Sequence, residues 1–245
     1  VWEDASNKVS YGALREYFLG SELDATMHYP FRTAVLDFLQ GKINAQTACD
    51  TFWTIQEHYP KENLYAALNL IGSHDRARVL TVLGGDVNAL KMAMFLQFAL
   101  PGVPSIYYGD EQGMCGVCDP FNRLPFKEGE QELHDWYARL ANMRNSADAF
   151  STGHAQFMAA TGDVLLILRW ISDGHDAFGD AAENGAYLAV INNQSDDLRL
   201  RRIINNPPRG IGNTTIERVQ DLASEQGVPM MAVLQLSLIH ISEPT

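Results

Sequence analysis

Two short apolar runs in this chain each end in ionisable side chains. The first runs from Asn69 to Asp75 and closes on Gly-Ser-His-Asp. The second runs from Val103 to Gly113 and contains Tyr-Tyr-Gly-Asp-Glu. An apolar-rich stretch, residues 88–100, lies between them and predicts a helix that stops at the following Pro-Gly pair. A strand, a helix and a second strand, each strand ending in a carboxylate, indicate a βαβ unit. The carboxyl edge of such a unit presents catalytic groups in a (β/α)8 barrel.

The His74-Asp75 pair is open to two interpretations from the residues alone. At the rim of a barrel it would be a catalytic or substrate-binding pair. Asp75 also precedes Arg76-Ala-Arg-Val, and aspartate is a good N-cap for a helix that begins there. The local sequence leaves both interpretations open.

The chain has three cysteines, an odd and low number that does not indicate a disulfide framework. Cys115 and Cys118 form a CxxC pair, while Cys49 lies far away in the sequence. A redox or zinc role would need a second ligand pair, or a helix beginning directly after the motif. Asp119-Pro120 follows instead, so the sequence favours neither role.

Charge and hydropathy exclude several classes of partner. The chain of 245 residues carries a formal net charge of −12, whereas nucleic acids and anionic membranes are bound by basic surfaces. The longest apolar stretch, residues 92–108, is interrupted by Gln97, Pro101 and Pro104 and is not a membrane span. We therefore expect no nucleic acid and no membrane as partner, and a neutral or polar small-molecule substrate.

The elements that must position these groups change in character along the chain. The first part alternates predicted strands with predicted helices, which is the pattern of an α/β fold. Its strands are predicted at 23–29, 64–71 and 103–108, and its helices at 13–19, 31–39, 45–58, 76–83, 88–100 and 130–144. After Arg144 the pattern consists of short strands, predicted at 164–170, 186–191, 198–203 and 230–234. The sequence thus predicts an α/β module followed by an all-β module, with a boundary near Asn145.

Four motifs occur in an order that is typical of one family. They are His-Tyr-Pro-Phe at 28–31, Gly-Ser-His-Asp at 72–75, Pro-Ser-Ile-Tyr-Tyr-Gly-Asp-Glu at 104–111 and Asp-Pro-Phe-Asn-Arg at 119–123. In this order they resemble the α-amylase family of glycoside hydrolases, family 13. Within it they are most similar to the neopullulanase, cyclomaltodextrinase and maltogenic amylase group. The resemblance is close over residues 1–144 and looser through Leu234.

The resemblance implies a fold and a domain organisation. Residues 1–145 would form the C-terminal half of a catalytic (β/α)8 TIM barrel, strands 5–8, and residues 146–235 an all-β sandwich domain. The last ten residues, 236–245, look like a translated sequencing adapter, so we expect a non-native tail without function.

The same resemblance implies a retaining α-glucoside hydrolase, which uses a carboxylate nucleophile and a carboxylic general acid about 5 Å apart. In the family these groups follow barrel strands four and five. Val1-Trp2 matches the end of the Glu-Ile/Val-Trp motif that contains the acid, so we expect both groups upstream of this chain. Glu3 falls where the family usually has His, and we interpret it as a loop carboxylate. We therefore expect the chain by itself to be inactive.

Five residues are candidates for substrate contacts through the resemblance. Asp75 would stabilise the transition state by accepting hydrogen bonds from the hydroxyls of the distorted sugar, and His74 would donate to a neighbouring hydroxyl. Asp119 and Arg123 would bind sugars on the non-reducing side, the alternative being a simple loop ion pair. Trp2 would stack on a sugar beyond the cleavage point, the alternative being a core tryptophan. We expect His28 and the Asp110-Glu111 pair to be structural.

The resulting expectation is an enzyme that acts on α-1,4 glucans, maltooligosaccharides or cyclodextrins, with α-1,6 linkages as a further target. One alternative is a transglycosylase or isomerase of short α-glucosides that uses the same covalent intermediate. Another is a non-catalytic carbohydrate-binding relative, against which the His74-Asp75 and Asp119/Arg123 pairs argue. We expect no cofactor within the chain, any calcium site being upstream of it. From the resemblance we further expect a homodimeric full-length enzyme in the cytoplasm, the alternative to the cytoplasm being a secreted enzyme.

Overall fold

The computed structural model describes residues 23–129, 131–160, 164–193 and Asp221. The chain divides into two compact units between Asn192 and Asn193, so nearly all of the second unit lies outside the described residues. Trp2, the predicted helix at 13–19, the predicted strands at 198–203 and 230–234, and the tail at 236–245 also lie outside them.

Helices and short parallel strands alternate in the first part of the chain, and an antiparallel sheet follows. The helices are α1 (Tyr29–Leu39), α2 (Ala45–His58), α3 (Lys61–Ala66), α4 (Val79–Val82), α5 (Val87–Ala99), α6 (Gln131–Asn145) and α7 (Asp148–Ser151). The strands are β1 (Leu68–Leu70), β2 (Val103–Ser105), β3 (His154–Ala160), β4 (Val164–Ile171) and β5 (Gly185–Asn192). Single 3₁₀ turns lie at Asp110–Gln112 and Phe121–Arg123. The described part thus has the α/β character that the sequence predicts.

The predicted βαβ unit is present. Strands β1 and β2 pair in parallel, with Leu68 opposite Val103 and Leu70 opposite Ser105, and α5 connects them. On the other side of β1, Met27 forms a parallel bridge to Leu68. Three parallel positions therefore lie side by side, and their carboxyl ends point to the same edge.

Several predicted strands are shorter in the structure than in the sequence analysis. The predicted strand at 23–29 is reduced to the Met27 bridge, because α1 already begins at Tyr29 and accepts Pro30 in its first turn. The prediction of strand over 64–71 is wrong at its start, since α3 occupies Lys61–Ala66. An apolar run of this length fits a buried helix as well as a strand. Strand β2 also ends at Ser105, so that 106–109 form a loop.

Buried Gln97 on α5 holds the two parallel strands in place. Its Nε2 donates to the carbonyl oxygens of Asn69 at 2.9 Å and of Ser105 at 2.7 Å, while Tyr137 Oη lies 3.3 Å from its Oε1. A buried amide with each of these polar groups satisfied makes the packing of helix on strands specific. The strand ends therefore have a defined position beneath the loops that follow them.

Strands β3, β4 and β5 form an antiparallel sheet in that order. Its inner face, which includes Phe157, Leu165 and Ile167, belongs to the same buried core as α1, α2 and α5. Trp53 of α2 donates its indole N–H to the carbonyl of Phe157 at 2.9 Å. Strand β3 and the short helix α7 were not predicted from the sequence. Among the described residues, no helix is both long and apolar enough to cross a bilayer.

Candidate active site

His74 and Asp75 lie in the turn that follows β1, with both side chains open to solvent. Ser73 holds the turn, because its Oγ accepts from the Asp75 N–H at 3.3 Å and lies 3.0 Å from Tyr29 Oη of α1. His74 Nε2 lies 3.2 Å from Asp75 Oδ1. The N-cap interpretation of Asp75 is wrong, since α4 begins only at Val79 and its N-cap is Arg78. His74 and Asp75 therefore form an exposed polar pair at the carboxyl edge of the parallel strands.

A buried ion pair joins the loops after β1 and β2. Arg78 Nη1 lies 3.2 Å from Asp110 Oδ1, and both side chains are fully buried. The same nitrogen donates to the Tyr108 carbonyl, and the guanidinium lies over the rings of Tyr107 and Tyr108 at 4.2 and 4.6 Å. Burial raises the pKa of Asp110 to about 7, and the attraction of Arg78 opposes this rise. This pair is a structural connection below the surface of the site.

Gly72 gives the Asp110 carboxylate the space that it occupies. A Cβ atom added at position 72 would lie 2.0 Å from Asp110 Oδ2. No side chain fits there without moving the carboxylate or the strand end. The residue type at position 72 is therefore dictated by the neighbouring loop.

The loop that runs from the CxxC motif to the Asp119–Arg123 pair is hydrogen-bonded to α4 and to its N-cap residue. The Gly116 N–H donates to Thr81 Oγ1 at 2.9 Å, and its carbonyl accepts from the Arg78 N–H at 2.8 Å. A Cβ atom at position 116 would lie 2.3 Å from the Phe121 carbonyl oxygen, so the two backbone segments pack directly. Cys115 and Cys118 on this loop are exposed free thiols.

Asn122 connects this loop to the His74-Asp75 turn. Its Nδ2 donates to the carbonyl of His74 at 2.8 Å and to that of Arg76 at 2.9 Å, the two carbonyls that flank Asp75. The Asn122 carbonyl accepts from Tyr107 Oη at 3.3 Å, and the residue is only 2% exposed. The sequence analysis missed Asn122. Its position between Asp119 and Arg123 was visible, but its burial was not.

Arg123 brings the two predicted polar pairs together. Its Nε donates to the His74 carbonyl at 3.0 Å and lies 3.5 Å from Asp119 Oδ1, while its Nη2 lies 3.9 Å from Asp75 Oδ1. All four side chains remain substantially exposed. The structure thus places four of the five candidate residues in one cluster; the fifth, Trp2, lies outside the described residues.

His28 has a structural position. It is the N-cap of α1, where its Nδ1 accepts from the Phe31 N–H at 3.4 Å. Burial lowers its pKa to about 3, so the ring is neutral at physiological pH. A neutral, buried imidazole that caps a helix is structural, as the sequence predicts, and is not one of the exposed side chains of the cluster.

The exposed cluster contains both hydrogen-bond donors and hydrogen-bond acceptors. Within the described ranges, no group of three or more His, Cys, Asp and Glu side chains is placed to hold a metal ion. Two carboxylates, one imidazole and one guanidinium form an exposed cluster that can accept from and donate to the hydroxyls of a polar ligand.

Comparison with known proteins identifies the family. Residues 5–162 match the family model described as alpha amylase, catalytic domain. An amylopullulanase of Thermoanaerobacter thermohydrosulfuricus is 35% identical over 219 residues, covering 78% of this chain and 14% of that protein. A cyclomaltodextrinase of Geobacillus thermopakistaniensis (strain MAS1) is 35% identical over 182 residues, covering 72% of this chain and 29% of that protein. This chain therefore spans less than a third of the length of either relative.

A solved structure supports the same assignment. A cyclomaltodextrinase superposes with a TM-score of 0.63 at 32% identity, over 71% of this chain and 29% of that one. A second family model, the UvrD-like helicase C-terminal domain, matches residues 185–244. That range covers about a quarter of the chain, includes the predicted non-native tail and does not establish a second family. The strand-end motifs, the parallel strands beneath them and a match over residues 5–162 agree, and the chain belongs to the α-amylase family of glycoside hydrolases.

Proposed function

We propose that this chain is part of a retaining hydrolase of α-1,4 glucans, maltooligosaccharides or cyclodextrins. The observation that carries the proposal is the convergence of His74, Asp75, Asp119 and Arg123 in one exposed cluster at the carboxyl edge of parallel strands. The names of the relatives, amylopullulanase and cyclomaltodextrinase, support an α-glucan as the substrate class.

In this proposal Asp75 stabilises the transition state. Its carboxylate is exposed and adjacent to Arg123, and its backbone N–H donates to Ser73 Oγ. A carboxylate held in this way can accept hydrogen bonds from sugar hydroxyls. Such bonds strengthen as positive charge develops on the oxocarbenium-like ring, and they supply several kcal/mol in such enzymes.

His74 and the Asp119–Arg123 pair would hold the substrate. The His74 ring is exposed beside Asp75 and can donate to an adjacent hydroxyl. Asp119 accepts and Arg123 donates, so together they can bind two neighbouring hydroxyls of one sugar on the non-reducing side. Trp2 stays a proposed stacking residue beyond the cleavage point.

The proposed domain organisation is the C-terminal half of a (β/α)8 barrel, strands 5–8, in residues 1–145, and a β-sandwich in residues 146–235. The parallel order Met27, β1, β2 with α5 as crossover supports the barrel. The sheet β3–β5 has exposed apolar residues, including Met158, Leu188 and Val190, on the face away from the core. An apolar outer face is typical of one layer of a sandwich.

Two measurements test the proposal. Sequencing of the gene upstream of the Val1 codon should reveal Glu immediately before Val1 and an Asp at the end of the preceding barrel strand. A different residue at either position would overturn the hydrolase function and favour a non-catalytic carbohydrate-binding relative. The purified chain should release no sugar from maltotriose, cyclodextrin or pullulan above a heat-killed control, because we assign both catalytic carboxyl groups to upstream sequence. Hydrolysis by the chain would contradict the assignment of both catalytic groups to upstream sequence.

A further inference from the structure

Phe121 is a large aromatic residue that the fold leaves open to solvent beside the polar cluster. It is 56% exposed, although it lies on the 3₁₀ turn Phe121–Arg123, whose central residue Asn122 is 2% exposed. Burial of this ring in the core therefore does not explain its presence there. Phe121 lies two residues from Asp119 and two from Arg123 in the sequence, and an exposed aromatic ring combined with hydroxyl-binding groups is the composition of a sugar subsite.

We infer that Phe121 is a stacking platform for a glucose unit of the α-glucan, beside the Asp119–Arg123 pair. The inference deepens the proposed function and rests on it. The occupant is the apolar C–H face of a pyranose ring, whose edge carries the hydroxyls that Asp119 and Arg123 would bind. A sugar ring has both surfaces, so the two kinds of contact complement each other.

The 3₁₀ geometry directs Phe121 and Arg123 to the outside. Three residues complete one turn of a 3₁₀ helix, so successive side chains project about 120° apart. Asn122 points inward, to the carbonyls of His74 and Arg76. Its two neighbours therefore project on either side of it, away from the core.

The backbone that carries Phe121 is rigidly held. Its carbonyl packs against Gly116, and Gly116 is hydrogen-bonded to α4 through both its N–H and its carbonyl. The adjoining Asn122 is fixed by the hydrogen bonds of its side chain and by its own N–H, which donates to the Cys118 carbonyl at 2.9 Å. A ring on a fixed backbone loses little conformational entropy when a ligand stacks on it, which favours binding.

Phe126 provides a matched control for this position. It is 53% exposed and lies three residues beyond Arg123, outside the 3₁₀ turn Phe121–Arg123 that the side chain of Asn122 fixes. If exposed aromatic surface alone attracted ligands, both phenylalanines would contribute equally. If the subsite is built as inferred, only Phe121 contributes.

The experiment measures binding of maltotetraose to the full 245-residue chain by saturation-transfer NMR, with ligand titrated into the millimolar range. This readout does not require hydrolysis. We expect Phe121→Ala to weaken binding about fivefold to tenfold, as for the loss of one stacked ring. We expect Phe121→Trp to bind at least as tightly as the unchanged chain and Phe126→Ala to bind equally. A thermal melt of each variant verifies folding, which substitution of an exposed ring should preserve.

The outcomes separate the inference from the proposed function. Binding by the unchanged chain with no loss in Phe121→Ala overturns the platform and leaves the proposed function standing. Equal weakening by Phe121→Ala and Phe126→Ala also overturns it, because that result indicates unspecific apolar contact. Absence of maltotetraose binding by the unchanged chain overturns the platform alone, because the proposed function of the full-length enzyme is tested separately by the sequence upstream of Val1. Weakening by Phe121→Ala that Phe121→Trp reverses supports the platform.

Discussion

Asn122 connects the loop that carries Arg123 to the turn that carries Asp75. Substitution Asn122→Ala removes the amide that donates to the carbonyls of His74 and Arg76, at 2.8 and 2.9 Å. These carbonyls flank Asp75, so the substitution releases the turn that carries the proposed transition-state stabiliser. We expect a loss of stability together with a loss of order in this turn.

The magnitude follows from the two hydrogen bonds and the space left behind. Each hydrogen bond contributes about 1 kcal/mol net. The Asn122 side chain is buried, so its truncation also leaves a small cavity that costs roughly 1 kcal/mol more. His74 and Arg76 are exposed residues, so water can reach their carbonyls and the penalty for an unpaired buried group does not apply in full. The expected loss is therefore about 2–3 kcal/mol.

The assay is urea unfolding at pH 7, followed by far-ultraviolet circular dichroism, with equal slopes required for a comparison of midpoints. Phe121→Ala is the matched control, because it alters the adjacent exposed side chain and is expected to change stability by less than about 0.5 kcal/mol. A free energy of unfolding for Asn122→Ala within about 0.5 kcal/mol of the unchanged chain would refute the reasoning.

Asn122→Asp adds a test with a defined pH dependence. The ionised carboxylate would face two carbonyl oxygens without a proton to donate, whereas the protonated acid could donate to one of them. The pKa of the introduced acid in the folded state should therefore lie above its unfolded value. Stability relative to the unchanged chain should be partly kept at low pH and lost as pH rises through that folded-state pKa. A constant difference between pH 4 and pH 8 would contradict this.

Three further predictions concern the surroundings of the site. Gly72→Ala should lower the free energy of unfolding by about 1–3 kcal/mol, because its Cβ would lie 2.0 Å from Asp110 Oδ2; an unchanged urea midpoint would contradict the close packing. Burial raises the pKa of Asp110 to about 7, so the contribution of this residue to stability should be full below its unfolded-state pKa near 4 and be lost as pH rises through 7. In thermal melts Asp110→Asn should flatten this decline, and an equally steep decline in the variant would contradict the assignment to Asp110. In a thiol titration of the folded chain, exposed Cys115 and Cys118 should react promptly, and buried Cys49, whose pKa burial raises, should react only in urea; three equally fast thiols would disagree with the structure.

The helices with strong local signals were predictable from the sequence. The predicted bounds of α2 coincide with Ala45–His58, where Asn44 caps the helix through a hydrogen bond to the Thr47 N–H at 2.6 Å. Helix α5 begins one residue before its predicted start and is capped by Asp86. Apolar residues recur at helical spacing in α2 and lie on all sides of α5, and each helix has an N-cap residue, so local sequence suffices.

The short parallel strands were less predictable, because their pairing depends on distant residues. The run at 64–71 contains enough apolar residues for a strand throughout, yet only Leu68–Leu70 pairs with β2. The preceding residues form α3, which begins after Pro60, and Leu64 of this helix is buried in a small apolar cluster that is separate from the main core. A strand of three residues is defined by its partner across the sheet, and the partner is not visible in a local pattern.

The candidate site shows the same division between local and distant information. His74, Asp75, Asp119 and Arg123 could be named from motifs, because each is an exposed polar residue whose type suits direct contact with a sugar. Asn122 could not be named in this way, since its role depends on carbonyls 46 and 48 residues away.

The turn around Asp75 nevertheless requires a donor of this kind. The backbone around Asp75 lies outside regular structure, so its carbonyls have no strand or helix partner and would leave the turn free to move. A turn that holds the proposed transition-state stabiliser needs donors from elsewhere, and the loop carrying Arg123 is the neighbour that can supply them. A small amide beside an exposed sugar-binding residue meets that need, because it can enter the core while its neighbours stay outside. In the order exposed Phe121, buried Asn122 and exposed Arg123, one short turn both supports the backbone around Asp75 and carries the side chains that we propose for sugar binding.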